Sequence, residues 1–216
     1  MILLVAVAAG LTAAMLRAAA GRRNFRLPTF QHTWLVFAAL LPQLIVFGSF
    51  GTRWGVPDRW AAVVLVASQI ALLFFAWNNR TQPGVALMGI GLLLNFAVIA
   101  LNGGLMPISP ETVRQLVADI PRLWHVGERF GSGKDIILPV ENTNLWWLSD
   151  RFFFTTTTLI YMRVAFSAGD VLIAIGAFWL MWSIGNPNLS VNKEMSNGTK
   201  KSKLIPGFIT HQPVGK

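Results

Sequence analysis

Apolar residues form four long runs in the first half of the chain, and short polar stretches separate them. The runs cover residues 1–20, 34–51, 59–77 and 83–101. Each is close to the roughly 20 residues that an α-helix needs to cross the hydrocarbon core of a bilayer. The pattern therefore predicts a bundle of four spans over residues 1–102. Pro42 predicts a kink in the second span, because proline lacks a backbone donor.

The pattern changes at residues 101–107, where the sequence Leu-Asn-Gly-Gly-Leu-Met-Pro ends the fourth run. Residues 103–167 are too polar to span a bilayer, and we expect them to form one extracytoplasmic segment. Ser109, Pro110 and Glu111 have the order typical of a helix start. Apolar residues then follow at helical spacing: Val113, Leu116, Val117 and Ile120. This amphipathic helix is predicted to lie along the membrane surface or under a partner.

A fifth apolar run covers residues 168–185 and predicts one more span. Residues 186–216 form a basic tail without apolar periodicity. By itself this tail is expected to be disordered, and we expect it to bind a partner on the cytoplasmic side. Residues 155–158 have the composition of a strand, but the scheme gives them no place. The predicted fold class is all-α, a membrane-spanning bundle of five helices.

Composition agrees with a chain that lies in a bilayer. Hydrophobic residues make up 54% of the sequence and charged residues 12%, with a mean hydropathy of +0.54, whereas soluble domains carry roughly 25% charged residues. The chain has no cysteine. A disulfide, a thiolate metal site and an iron-sulfur cluster are therefore excluded.

The distribution of charge predicts the orientation in the membrane. The first run is not a typical signal peptide, because its positive charges follow the apolar stretch instead of preceding it. With the N-terminus outside, the whole net charge of +9 falls on the cytoplasmic side, as the positive-inside rule requires. The basic residues on that side are Arg17, Arg22, Arg23, Arg26, Arg80, Lys193, Lys200, Lys201, Lys203 and Lys216. We therefore expect a multi-pass protein of the bacterial cytoplasmic (inner) membrane that contacts lipids and no nucleic acid.

Small residues recur every fourth position in the first run, at Ala6, Gly10, Ala14 and Ala18. Such a stripe lets a second helix approach closely, and we predict that it is a packing surface. The alternative is an ordinary alanine-rich span.

Histidine positions argue against a redox centre held by this chain alone. His32, His125 and His211 all fall outside the predicted spans, and no pair has the spacing of a metal site. We therefore expect no metal and no cofactor of its own, although a lipid, quinone or pigment could bind at a subunit interface. His32 and His125 are candidate ligands for an interfacial pigment; the alternative is a hydrogen-bonded histidine.

Polar residues near the predicted spans are the remaining candidates for chemistry. Asn95 and a few other amides and hydroxyls inside the spans are typical of hydrogen bonds between helices. Asp170 lies two residues into the fifth span, where an acid stabilises a helix start or pairs with Arg163 or Arg59. The extracytoplasmic segment carries further carboxylates that could pair: Asp119, Glu128, Asp135, Glu141 and Asp150.

Four stretches resemble motifs of a known family. They are Asn-Gly-Gly-Leu-Met-Pro at residues 102–107, His-Val at 125–126, Leu-Ser-Asp at 148–150 and Ser-Ala-Gly-Asp-Val-Leu-Ile at 167–173. In order and spacing they resemble a family of uncharacterised bacterial five-span membrane proteins frequent in Chloroflexota, Actinobacteria and Firmicutes. The resemblance covers nearly the whole chain and implies the five-span architecture. It implies no activity.

Three functions follow as hypotheses. The first is a non-catalytic accessory subunit of an electron-transfer complex, either a quinol-oxidising respiratory complex or a photosynthetic reaction centre, because the spans lack redox ligands and carry a packing stripe. The alternative is a small transporter or lipid-binding protein with a site formed by Asn102, Asp150 and Asp170. The third is a membrane enzyme that acts on a lipid or cell-wall precursor through the outer carboxylates.

Overall fold

The computed structural model describes residues 2–21, 28–117, 124–156 and 162–184. Within these ranges the protein is mostly helical. The basic tail at 186–216, His211, Ile120 and Asp119 lie outside the described residues. The helices are α1 (Ile2–Gly21), α2 (Trp34–Phe47), α3 (Ser49–Trp54), α4 (Asp58–Asn78), α5 (Val85–Leu101), α6 (Pro110–Leu116) and α7 (Ala168–Ser183).

Helix length separates two candidate membrane spans from three shorter apolar helices. Leu3–Ala20 within α1 and Asp58–Asn78 in α4 are long and apolar enough to cross a membrane. The shorter apolar helices are α2, α5 and α7, with 14, 17 and 16 residues. All five coincide with the apolar runs of the sequence.

The second helix breaks at a place that the sequence pattern did not indicate. α2 continues through Pro42 and ends at Phe47, and α3 begins two residues later. Gly48 between them has an extended conformation, with a ψ of −170°. A side chain there would bring its Cβ to 2.2 Å from the carbonyl oxygen of Leu44. The predicted single helix over 34–51 was therefore wrong, because the chain becomes extended at Gly48, where a side chain would collide with the Leu44 carbonyl oxygen.

The apolar helices pack in a row in which α7 contacts α1 and α5, α5 contacts α4, and α4 contacts α2. The small-residue stripe of α1 lies against α7. A Cβ on Gly10 would come within 2.8 Å of Met181 Cβ. Ala14 and Ala18 are buried and Ala6 is half-buried. The stripe thus allows the close helix contact expected of small residues.

Glycines also bring α5 and α7 together in an antiparallel pair. A Cβ on Gly91 would lie 2.5 Å from the carbonyl oxygen of Gly169, and a Cβ on Gly176 would lie 2.6 Å from that of Gly84. The two contacts are about two helical turns apart. Backbone meets backbone at both places, so no other residue fits there without moving a helix.

Two asparagines fasten loops to the bundle with the same geometry. Asn79 at the end of α4 donates from Nδ2 to Gln31 O at 2.9 Å and accepts from Gln31 N at 2.8 Å. Asn102 at the end of α5 makes the matching pair with Asn144, with both distances 2.9 Å. Each side chain also donates to the carbonyl one turn earlier in its own helix. These amides satisfy backbone groups at the helix ends that would otherwise lack partners.

Residues 103–167, predicted from the sequence to lie outside the membrane and for that reason called the outer segment below, contain short strands, which corrects the all-α fold class. β1 (Met106–Ile108) pairs in parallel with β2 (Asp135–Ile137), and β3 (Phe152–Thr156) pairs antiparallel with β4 (Met162–Phe166). Gly103 and Gly104 precede β1 with φ angles of +80° and +88°, a region that favours glycine. This turn directs β1 across the end of the bundle.

The start of α6 was predicted correctly. Ser109 Oγ accepts a hydrogen bond from Thr112 N at 3.1 Å, and Pro110 is the first helical residue. Val113 packs in a buried cluster with Ile108 and Ile137. The apolar face of α6 therefore contacts the strands of the outer segment.

We expect Gly91→Ala to destabilise the protein by roughly 1–3 kcal/mol, because the added methyl group overpacks the backbone contact between α5 and α7. Gly89→Ala is the matched control on the same helix, since its Cβ would meet only Ala76 Cβ, at 3.3 Å. Thermal unfolding in detergent compares the two variants. Equal melting temperatures for both would contradict the packing described here.

Candidate functional site

A cavity of about 460 Å³ lies between the outer segment and the ends of α1 and α7. We call it the charged cavity, because five charged side chains line it: Lys134, Asp135, Asp150, Arg163 and Asp170. Its remaining walls are mainly apolar and include Leu3, Leu116, Phe130, Phe166 and Ile173. The site is therefore amphipathic. Four of its five charged residues belong to the outer segment, and Asp170 follows three residues after it.

Strand β1 brings three of these charges together. Met106 N donates to Lys134 O at 3.0 Å, just before β2 begins with Asp135. On the other side of the strand, Asp150 N donates to Pro107 O at 3.1 Å. Residues that are distant in sequence thus flank one short strand, and their side chains reach the same cavity.

Lys134 and Asp150 form the central ion pair of the cavity. Lys134 Nζ lies 2.5 Å from Asp150 Oδ2 and 3.0 Å from Asp135 Oδ1. Asp150 is 2% exposed, and its second oxygen, Oδ1, is buried without a hydrogen-bond partner among the described residues. A buried carboxylate normally has donors on both oxygens. Asp150 therefore retains an unused acceptor in the site.

The surroundings shift the proton affinity of both groups. Burial raises the pKa of Asp150 to about 7; the Lys134 ammonium opposes this shift, and Asp135 and Asp170 add to it. Burial by itself lowers the pKa of Lys134, but attraction to Asp135, Asp150 and Asp170 outweighs it and leaves that pKa above its ordinary value. Lys134 therefore stays charged, while Asp150 changes its protonation near neutral pH.

Asp170 connects the cavity to the bundle. Its Oδ2 accepts from Ser167 N at 3.2 Å, and Ser167 Oγ accepts from Asp170 N at 3.0 Å, which together form a capping box at the start of α7. Asn95 on α5 donates to Asp170 Oδ1 at 2.8 Å and accepts from Ser167 Oγ at 2.8 Å. One carboxylate thus caps α7, joins α7 to α5 and lines the cavity.

The structure brings together only some of the residues singled out from the sequence. Asp150 and Asp170 line the same cavity, whereas Asn102 binds Asn144 outside it. His32 and His125 are exposed; His32 lies beside the loop fastened by Asn79, at the end away from the cavity, and His125 lies in the outer segment. Within the described ranges, no three His, Asp or Glu side chains are grouped so that they could hold a metal ion.

Sequence reasoning missed Lys134 and Arg129. Lys134 precedes an acid and a short apolar strand, and nothing in that local sequence indicates its ion pair with Asp150. Arg129 has a side chain that is 13% exposed; its Nε lies 3.1 Å from Asp58 Oδ1, and its Nη2 donates to Val56 O at 3.0 Å. It anchors the outer segment to the start of α4. Partners this distant in sequence leave no local pattern.

Residues 28–182 of the chain match a family described as a family of unknown function, DUF5317. The chain belongs to this family. All five charged residues of the cavity lie within the DUF5317 region, whereas α1 precedes it. No solved structure matches the chain.

An uncharacterized protein of Thermotoga maritima is similar to this DUF5317 chain. The two are 31% identical over 120 residues, which is 55% of this chain. The aligned part covers 62% of the relative's length. Membership in a family without an assigned function leaves the chemistry of the cavity as the guide to what the protein does.

We expect Lys134→Gln to destabilise the protein by roughly 1–3 kcal/mol, because the buried carboxylate of Asp150 loses its cation. The double variant Lys134→Gln, Asp150→Asn is expected to recover part of this loss, since no buried charge is left unpaired. Arg114→Gln, which removes an exposed cation of the same segment, is the control and should change little. Chemical or thermal unfolding measures all three. Additive losses in the double variant would contradict a coupled pair.

The stability of the fold should depend on pH through Asp150. Its native pKa of about 7 lies above the unfolded value of 3.8, so the native state holds a proton that the unfolded chain loses first. This contribution is fully present below the unfolded pKa and is lost as pH rises towards the native pKa. The melting temperature is expected to fall as pH rises from about 4 to about 7.

Asp150→Asn should remove most of this slope, and Glu141→Gln should keep it, because Glu141 is exposed on the same segment. Melting curves at several pH values provide the measurement. Identical slopes in wild type and Asp150→Asn would show that another group governs the pH dependence.

Proposed function

We propose that this DUF5317 protein is a multi-pass membrane protein that binds a small ligand in the charged cavity, as a small transporter or a lipid-binding protein. The observation that carries the proposal is Asp150, a buried carboxylate that lines the cavity and whose Oδ1 has no hydrogen-bond partner among the described residues. Buried ionisable groups are costly, and a shifted carboxyl group that lines a cavity commonly marks a binding site. A purely structural ion pair would not require a cavity beside it.

Apolar side chains exposed on the helices support a location in the bilayer. Exposed apolar surface of this extent is unfavourable in water and is typical of contact with lipid. The exposed residues on these helices include Leu41, Leu44, Val63, Phe74, Leu93 and Trp179. In the proposed arrangement α1, α2 with α3, α4, α5 and α7 cross the membrane. The shorter helices are accommodated by local thinning of the bilayer and by flanking residues that reach its surface.

Aromatic and basic residues support the proposed orientation. Arg17 lies over the ring of Trp182 at 4.9 Å, and Arg80 lies over that of Trp77 at 4.4 Å. Both pairs are at the end of the bundle opposite the outer segment. Such pairs are typical of the membrane surface, and arginine favours the cytoplasmic side. In this orientation the charged cavity faces outward in the inner membrane.

Native mass spectrometry of the protein extracted in mild detergent tests the ligand-binding function. We expect wild type to retain a small molecule or lipid, Asp150→Asn to lose it, and Glu141→Gln to keep it. The variants must elute as folded monomers or defined oligomers. Wild type without any bound molecule, or equal retention by Asp150→Asn, would overturn the proposal.

A second candidate is the accessory subunit of a respiratory or photosynthetic electron-transfer complex. It is favoured by an exposed aromatic edge on β3, where Phe152, Phe153 and Phe154 are 44%, 49% and 62% exposed. A neighbouring integral subunit could cover this edge. Mild extraction from native membranes followed by a visible spectrum is the test. Haem or bacteriochlorophyll proteins at stoichiometric amounts would establish this function, and a colourless solitary protein would exclude it.

A further inference from the structure

We infer that the charged cavity binds the primary ammonium group of an amphipathic ligand, either a soluble alkylamine or the head group of an aminolipid. This inference rests on the proposed ligand-binding function and names the chemical class of its ligand. Three observations carry it: an acceptor without a donor, an excess of negative charge and apolar walls.

Among the described residues, Asp150 Oδ1 is an acceptor without a donor. Its partner oxygen, Oδ2, already accepts from Lys134 Nζ at 2.5 Å. A buried carboxylate oxygen without a hydrogen bond is costly, so the site is completed by a ligand that donates an N–H or O–H. A group that carries only acceptors, such as a bare phosphate or carboxylate, cannot fill this role.

The charge of the cavity selects a cationic donor. Three carboxylates line it, from Asp135, Asp150 and Asp170, against the two cations Lys134 and Arg163. Among the described residues that line the cavity, one net negative charge remains when all five are ionised, and a monovalent cation neutralises it. Asp170 lies within reach of the same cavity and is held in place by Asn95 and Ser167. A hydroxyl donor would satisfy Asp150 but would leave the charge uncompensated.

An ammonium group fits this arrangement better than a metal ion does. A calcium ion takes six to eight oxygen ligands, and the described residues contain no cluster of three or more acids and histidines that could hold a metal ion. A primary ammonium needs only a few acceptors for its three N–H donors. Carboxylates from different elements can share these donors without surrounding the cation.

The apolar walls indicate the chemistry of the part of the ligand beyond its ammonium group. Leu3, Phe130 and Ile173 line the same cavity as the charges, so the part of the ligand beyond the ammonium is hydrocarbon. The cavity volume of about 460 Å³ lies in the range of small-molecule sites. A lipid would place its head group here and leave its chains against the helices, whereas a short alkylamine would fit entirely inside.

The number of N–H donors on the ligand provides the sharpest test. Detergent-solubilised wild type is titrated with phosphatidylethanolamine, its N-methyl and N,N-dimethyl derivatives and phosphatidylcholine, all with the same acyl chains, and binding is read by native mass spectrometry. If an aminolipid is the ligand, we expect affinity to fall along this series, by about tenfold or more from first to last, because phosphatidylcholine has no N–H. The series needs no variant, so folding defects cannot confuse it.

Soluble amines form the second arm. Butylamine and tetramethylammonium are compared by the shift that each causes in the melting temperature of wild type. A shift with butylamine alone, together with equal binding of the four lipids, identifies a soluble amine as the ligand. If the lipid series or the soluble amines show a preference for ligands with N–H donors, Asp150→Asn is expected to lose this preference and Glu141→Gln is expected to keep it.

The inference is overturned if neither arm prefers N–H donors, or if Asp150→Asn folds and keeps the preference. These outcomes are separate from failure of the proposed function. A co-purified ligand that depends on Asp150, without any preference for ammonium, would leave the ligand-binding function standing and refute only the ligand class. The absence of any bound ligand would refute both.

Discussion

The backbone pairing of β1 is the interaction on which the outer segment depends. Met106–Ile108 bonds to β2 on one side and to Asp150 on the other, and the Gly103–Gly104 turn directs it across the bundle end. Buried peptide groups must find partners, because each unpaired group is costly away from water. Satisfying these groups fixes Lys134 and Asp150 on opposite flanks of one strand. The ion pair of the cavity is a consequence of this pairing.

Asp170 couples the cavity to the helices. Its carboxylate caps α7, bonds Asn95 on α5 and lines the cavity. The helices it joins approach through glycines that leave no room for adjustment. A ligand that draws on Asp170 therefore acts on the same contact that holds α5 and α7 together. Helix packing and helix capping meet at this residue, which also lines the cavity.

Local patterns in the sequence predicted the helices and their starts. The apolar runs gave five helices to within a few residues, and Ser109 and Asp170 indicated the starts of α6 and α7 because capping chemistry is local. The break at Gly48 was missed, because a single extended glycine leaves no sign in an apolar run, and the kink at Pro42 stays a prediction. The three-residue strands were missed because they have no readable period. The Lys134–Asp150 pair joins residues that only the fold brings together, so the site could be predicted only in part, from Asp150 and Asp170.

The proposed membrane arrangement requires that the outer segment and the loop between α4 and α5 lie on opposite sides of a membrane. The chain has no cysteine, so single cysteines placed at the exposed residues Glu141 and Thr81 report on each side without interference. Intact cells are treated with a membrane-impermeant maleimide. We expect Glu141→Cys to be labelled at once and Thr81→Cys only after the membrane is permeabilised. Equal labelling of both, or labelling in the reverse order, would contradict a cavity that faces outward from a membrane bundle.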